Sequence, residues 1–140
     1  MSEWNKKIIE EFRANEGKVG GTFEGAPLLL LHTTGARTGN ERINPLMYRK
    51  DGDRLVVFAS KGGAPADPDW YRNLLVNPIV KVEVETEIIE AKARVANPAE
   101  RESIWTAQKQ EYPTFARYEK TAGREIPVVI LKPVSADVLA

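Results

Sequence analysis

The sequence predicts an α+β fold: a small antiparallel β-barrel of about six strands, with an N-terminal helix and two or three helices inserted between strands. Three observations predict it. Val80, Val82 and Val84 alternate with Lys81, Glu83 and Glu85, and Ile89, Ala91, Ala93 and Val95 alternate with Glu90, Lys92 and Arg94. That is the period of half-exposed strands, and the two runs are close enough to pair as a hairpin. Asp51-Gly52, between the segments 41–49 and 53–60, is a second hairpin signal because such a turn needs positive φ. Strands joined mostly by hairpins argue against a parallel sheet with crossover helices.

The elements follow in order. Residues 3–15 read as a helix: Trp4, Ile8 and Phe12 recur every four positions, Ile9 widens the stripe, and Glu and Lys fill the other face. This helix is expected to pack on the barrel. Gly17, Gly20, Gly21 and Gly25 form a joint before Leu28–Leu31, a strand whose four leucines imply burial on both faces. Asp67-Pro68 opens a second helix, with Asp as N-cap and Pro at the first helical position; it runs through Trp70, Tyr71 and Leu74 and stops near Asn77-Pro78. Asn97-Pro98-Ala99-Glu100 starts a third, with Glu100 placed to close a capping box. It ends before Pro113 and a short aromatic segment containing Phe115 and Tyr118. Val128–Leu131, between two prolines, is the closing buried strand.

Bulk composition removes several classes of function. At 140 residues the chain is expected to be one domain, residues 1–140, with 1–20 as the N-terminal helix and joint. Twenty acidic residues balance twenty basic ones, so no overall field favours nucleic acid or an anionic membrane. There is no cysteine, which excludes thiol nucleophiles and Cys-ligated metals. The single histidine, His32, lies on an apolar strand and reads as structural rather than as a base. No signal peptide or membrane-length apolar run occurs, so a cytoplasmic protein is expected. An enzyme with this composition draws its chemistry from a bound cofactor, and neither a catalytic side chain nor a metal site is expected.

Two loops carry the candidate site. Gly35-Ala36-Arg37-Thr38-Gly39 precedes Arg42, and Ser60-Lys61-Gly62-Gly63 follows an apolar strand end. Glycines let backbone N–H groups turn one way, and Arg37, Arg42 and Lys61 add donors suited to anions. Loops of this kind at strand ends can converge at a barrel mouth around a phosphorylated or carboxylated ligand. Trp70 can stack on a flat ring or anchor its helix in the core, and Asn73, one turn on, can hydrogen-bond a ligand. Tyr112, Phe115 and Tyr118 suit a packed face and a binding wall equally.

These residues resemble the deazaflavin (coenzyme F420)-dependent nitroreductase family of split β-barrel F420H2-dependent oxidoreductases. The resemblance is carried by Thr33-Thr34-Gly35-Ala36-Arg37-Thr38-Gly39, Arg42-Ile43-Asn44-Pro45-Leu46, Ala59-Ser60-Lys61-Gly62-Gly63 and Asp67-Pro68-Asp69-Trp70-Tyr71-Arg72-Asn73-Leu74. It continues through Asn77-Pro78 and Tyr112-Pro113 and covers roughly residues 20–133. It implies a split barrel holding coenzyme F420, an 8-hydroxy-5-deazaflavin, whose anionic tail would meet Arg37, Thr38, Arg42 and Lys61. Asn44, Pro45, Met47, Ser60, Trp70, Tyr71 and Asn73 would line or edge the ring site, with Ala36, Gly39, Ile43, Leu46, Phe58, Ala59, Gly62, Gly63 and Asp69 completing it. The implied substrate wall is Met47, Ser60, Tyr112, Phe115 and Tyr118.

The implied activity is hydride transfer from reduced deazaflavin to a small electron-poor acceptor: a quinone, a conjugated enone or a nitro compound. In the nitroimidazole-activating member of the family, tyrosines stand at the positions of Met47 and Phe115, so this chain lacks two hydroxyl donors near the acceptor. A flavin mononucleotide oxidoreductase on the same barrel and a deazaflavin carrier without turnover are the alternatives. A monomer or weak homodimer is expected, without nucleic-acid partners, and with at most peripheral contact with the inner face of a membrane.

Overall fold

The computed structural model describes residues 3–23 and 25–134. Helix α1 (Glu3–Ala14) leads into the strands β1 (Leu28–Thr34), β2 (Glu41–Asp51) and β3 (Arg54–Phe58). A 3-10 turn at Lys61–Gly63 precedes α2 (Asp69–Val76), β4 (Ile79–Val84), β5 (Glu87–Val95), α3 (Pro98–Glu111), α4 (Thr114–Ala122) and β6 (Val128–Pro133). The strands close into a barrel in the order β1-β2-β3-β6-β5-β4, each pair antiparallel. This is the α+β barrel the alternation predicts.

The four leucines divide between two cores. Leu29 and Leu31 face the barrel interior with Val57, Val82, Val129 and Leu131. Leu28 and Leu30 face outward beneath Ile8, Ile9 and Phe12 of α1. Helices α3 and α4 cover the opposite outer face through Ile104, Trp105 and Phe115, packed on Val56, Phe58 and Ile130. Helix α2 puts Trp70 and Leu74 into the barrel interior, so its apolar stripe belongs to the first core.

Five local expectations are refined. Asp67 does not cap α2: Pro68 holds the N-cap position without a side-chain bond, because the Asp67 carboxylate is taken by Arg124 at 2.7 Å. The β2–β3 loop is Gly52-Asp53 rather than Asp51-Gly52, since Asp51 pairs with Arg54 and Gly52 has φ 65. Positive φ at the first of two loop residues is the type II′ requirement. Trp4, counted in the apolar stripe, is 57% exposed and meets the Phe23 ring at 6.3 Å. Val95, at the end of β5, is 41% exposed. The aromatic segment after Pro113 is a helix, α4, with Tyr112 as the C-cap of α3.

The α3 capping box forms as expected, Asn97 accepting from the Glu100 N–H at 2.9 Å and Glu100 from the Asn97 N–H at 3.0 Å. Arg94, then the Asn97 N–H, hold the Glu100 carboxyl well below the usual carboxylate range, with Arg54 adding to them.

Candidate functional site

The ladder explains where a groove opens. Strand β2 pairs with β1 from Glu41 to Met47, but with β3 only from Tyr48 to Asp51. The Tyr48 N–H donates to the Pro27 carbonyl at 3.1 Å. By alternation, Leu46 and Asn44 also turn their backbone groups to β1, while Met47, Pro45 and Ile43 turn theirs towards β3. Pro45 has no N–H to offer there, so the proline loses no ladder bond and β3 gains none by closing the gap. On the other side the Ala59 N–H donates to the Pro127 carbonyl at 3.0 Å, which leaves Phe58 and Ser60 facing the gap.

A cavity of about 420 Å³ fills this split. Of the sequence-predicted residues, Asn44, Pro45, Leu46, Met47, Phe58, Ser60, Lys61, Gly62, Asp69, Trp70, Phe115 and Tyr118 line it. Phe23 and Pro68 also line it and were not predicted. An isolated aromatic inside a glycine-rich joint was the available signal for Phe23. The wall is aromatic and continuous: Phe58 lies 5.5 Å from Phe115, which lies 5.3 Å from Tyr118 in an edge-on arrangement. Trp70 is both core and lining, only 5% exposed.

The turn after β3 has an unusual backbone. Ser60 is right-handed (φ −78, ψ −33), whereas Lys61 (φ 48) and Gly62 (φ 63, ψ 22) have positive φ. That succession makes a concave nest of N–H groups. Among the described residues nothing accepts from the N–H groups of Ser60, Lys61 or Gly62. Positive φ at a lysine carries strain of roughly 1–3 kcal/mol, which the surrounding structure must hold in place. Arg124, which the sequence did not single out, does so by bonding carbonyls of this loop.

The first loop is built by local bonds. The Gly35 N–H donates to the Asn40 carbonyl at 2.8 Å and the Gly39 N–H to the Gly35 carbonyl at 2.9 Å. A Cβ at Gly35 would lie 2.8 Å from the Thr38 hydroxyl. Asn73 ties this loop to α2: its Oδ1 accepts from the Ala36 N–H at 3.0 Å, and its Nδ2 donates to the Thr33 hydroxyl at 3.2 Å. Ala36, Arg37, Thr38 and Gly39 are exposed outside the cavity lining. Arg42 lies two residues before Asn44 on β2, about 7 Å along the strand. Among the described residues Arg37, Arg42 and Lys61 enter no ion pair, unlike most of the chain's other arginines.

The remaining predicted residues sit behind the groove. Ile43 packs with the core beneath α1, and Ala59 is buried in the barrel. Gly63 lies under α4, where a Cβ would come within 3.3 Å of Tyr118 Cα and Thr121 Cβ. Tyr71 meets Trp70 edge-on at 6.5 Å, and burial, then Asp67, push its phenol pKa up. Tyr112 supports the α3–α4 core without lining the cavity. His32 lies outside the groove, its Nε2 2.6 Å from Glu83, as a structural histidine should. Among the described residues no group of His, Asp and Glu could hold a metal, and no helix is long and apolar enough to cross a membrane.

A split barrel with N–H groups and cations that have no partner among the described residues, beside an aromatic slot, has the chemistry to receive a flat, anionic ligand. A sequence profile of the F420H(2)-dependent quinone reductases matches residues 4–133, and the chain belongs to this family. It is 37% identical over 124 residues to the F420H(2)-dependent quinone reductase Rv1261c of Mycobacterium tuberculosis, covering 86% of this chain and 83% of that protein. The solved structure of the F420-H2 dependent reductase FDR-A superposes with TM-score 0.69 at 37% identity, covering 76% of this chain and 94% of that one. A second solved chain, described as a domain-swapped dimer, superposes with TM-score 0.71 at 34% identity, covering 91% and 93%. The protein is accordingly an oxidoreductase that uses coenzyme F420 and a small-molecule acceptor.

Proposed function

We propose that the split between β2 and β3 is the coenzyme F420 site, and that residues 1–140 act as one cofactor-binding domain. The observation that carries the reading is the Ser60–Gly62 nest, whose residues line the slot with Lys61 among them, while Arg42 lies two residues along β2 from the lining residue Asn44. Among the described residues neither of these cations, nor Arg37 on the neighbouring loop, enters an ion pair. The residues fit the group. Arg37, Arg42 and Lys61 hold its anionic tail together with Thr38, while Asn44 to Met47, Ser60, Asp69 and Trp70 edge the ring. Ala36, Gly39 and Asn73 shape the loop beneath the tail. When bound and reduced, the coenzyme supplies a hydride.

The chain's own residues bind, orient and exclude water. Phe23, Met47, Phe115 and Tyr118 form an apolar wall beside the slot, suited to a flat, electron-poor acceptor such as a quinone, or a conjugated enone. Ser60 and Tyr118 bring the hydroxyls that can orient an acceptor carbonyl. A monomer or weak homodimer suffices, since the closed barrel supplies the whole slot.

Side-by-side titration with oxidised coenzyme F420 and flavin mononucleotide tests the reading. Tight binding is expected for the deazaflavin only. A charge-assisted hydrogen bond contributes about 1.5–3 kcal/mol, so Arg42→Glu should weaken binding at least tenfold and flatten its salt dependence. Unchanged affinity in a folded Arg42→Glu protein would show that the first loop takes no part.

A further inference from the structure

Among the described residues Arg124 is the most heavily hydrogen-bonded side chain outside the groove. Its side chain is 16% exposed, and it stands just after Gly123, the left-handed C-cap of α4. Nε donates to the Ala64 carbonyl at 3.1 Å and Nη1 to Asp67 Oδ1 at 2.7 Å. Nη2 is shared among the carbonyls of Ala59 (3.1 Å), Ser60 (3.3 Å) and Ala66 (2.9 Å). One planar fork thus holds four backbone carbonyls and a carboxylate of the segment from Ala59 to Asp67. An ammonium, a point donor on a flexible stem, cannot span them.

Those bonds fix where the opposite ends of the same peptides point. In a trans peptide the C=O and the next N–H point in opposite directions, and the described chain has no cis bond. With the Ala59 and Ser60 carbonyls turned to Arg124, the N–H groups of Ser60 and Lys61 point away from it. Strand alternation places the Ser60 N–H in the split by an independent route. Arg124 is absent from the cavity lining, whereas Ser60 and Lys61 are part of it. The same guanidinium joins this turn to the end of the helix that carries Phe115 and Tyr118, and Gly63 presses against that helix at Tyr118.

We propose that Arg124 is a positioning residue: it holds the strained Ser60–Gly62 turn with its N–H groups facing the groove and locks that turn to the acceptor wall on α4. The inference rests on the reading of the groove as the coenzyme site. It also explains why Asp67 is not available to cap α2.

The test uses the full chain with Arg124→Lys, Lys61→Gln and Asp67→Asn, each read by hydrogen exchange without ligand and by titration with oxidised coenzyme F420 at several salt concentrations. Arg124→Lys should speed exchange in residues 59–67 and weaken coenzyme binding at least tenfold. It should leave the slope of log Kd against log salt unchanged, because Arg124 touches no ligand anion. Lys61→Gln should lower that slope and leave exchange as in the unmodified protein. Asp67→Asn, which keeps the carbonyl bonds, should give a smaller change in the same direction as Arg124→Lys and stands in for it if that protein does not fold.

Several results overturn the proposal: coenzyme affinity unchanged in Arg124→Lys, a salt slope lowered as in Lys61→Gln, or faster exchange spread through the whole barrel. If the unmodified protein does not bind the coenzyme, the site reading fails by itself. The exchange arm then decides on Arg124 alone: acceleration confined to 59–67 supports its role in the turn, and none refutes it.

Discussion

Replacing Asn73 by alanine tests how far the Gly35–Asn40 loop, proposed to meet the coenzyme's anionic tail, depends on a residue that need not touch the ligand. Asn73 is 7% exposed and Thr33 2% exposed. Their bond at 3.2 Å joins two buried groups, so its loss should cost roughly 1–3 kcal/mol. The second bond, from the Ala36 N–H at 3.0 Å, reaches an exposed loop where water can replace the lost oxygen, so it adds only about 0.5–1 kcal/mol. Together the two give roughly 1.5–4 kcal/mol. With a urea m-value of about 1.5 kcal/mol/M, the unfolding midpoint should fall by about 1–2.7 M.

Tryptophan fluorescence is the readout for unfolding, since Trp70 is buried in the barrel core beside Asn73's helix face. Coenzyme titration on the same protein should show at least tenfold weaker binding, because the Gly35–Asn40 loop loses its only tie to α2 among the described residues. Asn73→Asp keeps the acceptor for Ala36, and the Thr33 hydroxyl can turn to donate to it. Its stability loss should be smaller than that of alanine. A change under about 0.5 kcal/mol in Asn73→Ala, with coenzyme affinity intact, would refute the reasoning that this amide holds the loop.

Two further outcomes follow from the geometry. Glu83, 11% exposed on its side chain, accepts two bonds from Arg13, at 3.1 and 2.7 Å, and meets His32. The Arg13 bonds hold its pKa down against the opposing effect of burial. A carboxyl depressed on folding stabilises fully above its unfolded value, near 4.3, and loses that contribution as pH falls through the folded value. Urea unfolding between pH 3 and 7 should therefore show a steeper acid loss in the unmodified protein than in Arg13→Gln, and identical slopes would count against this pair as the anchor of α1. For turnover with a conjugated enone or quinone, Tyr118→Phe should cost about tenfold and Tyr112→Phe less, the scale of one neutral orienting hydrogen bond; a loss above about a thousandfold in either, with coenzyme binding intact, would identify that phenol as a general acid.

Much of this protein is legible in its sequence because local chemistry decides it. Period-two alternation in 80–84 and 89–95, the leucine run and the Asn97–Glu100 box each specify an element through interactions within a few residues, and each element forms. The two glycine loops that the proposed site uses stand out in the sequence for the same reason: glycines that permit positive φ and flanking cations are local properties. Three features were decided only by the tertiary structure. Where β2 leaves β3 depends on the register of both strands and on the direction in which Pro45 lacks its N–H, which no single segment carries.

Asn73 could be read as a ligand contact, but the fold spends its amide on Thr33 and Ala36, 40 and 37 positions away. Arg124 looks like one more charged residue near a chain end. Only the meeting of the α4–β6 linker with the turn after β3, 57 to 65 positions earlier, makes its guanidinium the clamp of that turn and turns Asp67 from helix cap to salt-bridge partner. The physical reason is common to all three. A hydrogen-bonding group's duty is set by whatever groups arrive within about 3 Å, and long-range contacts of that kind exist only once the barrel has closed.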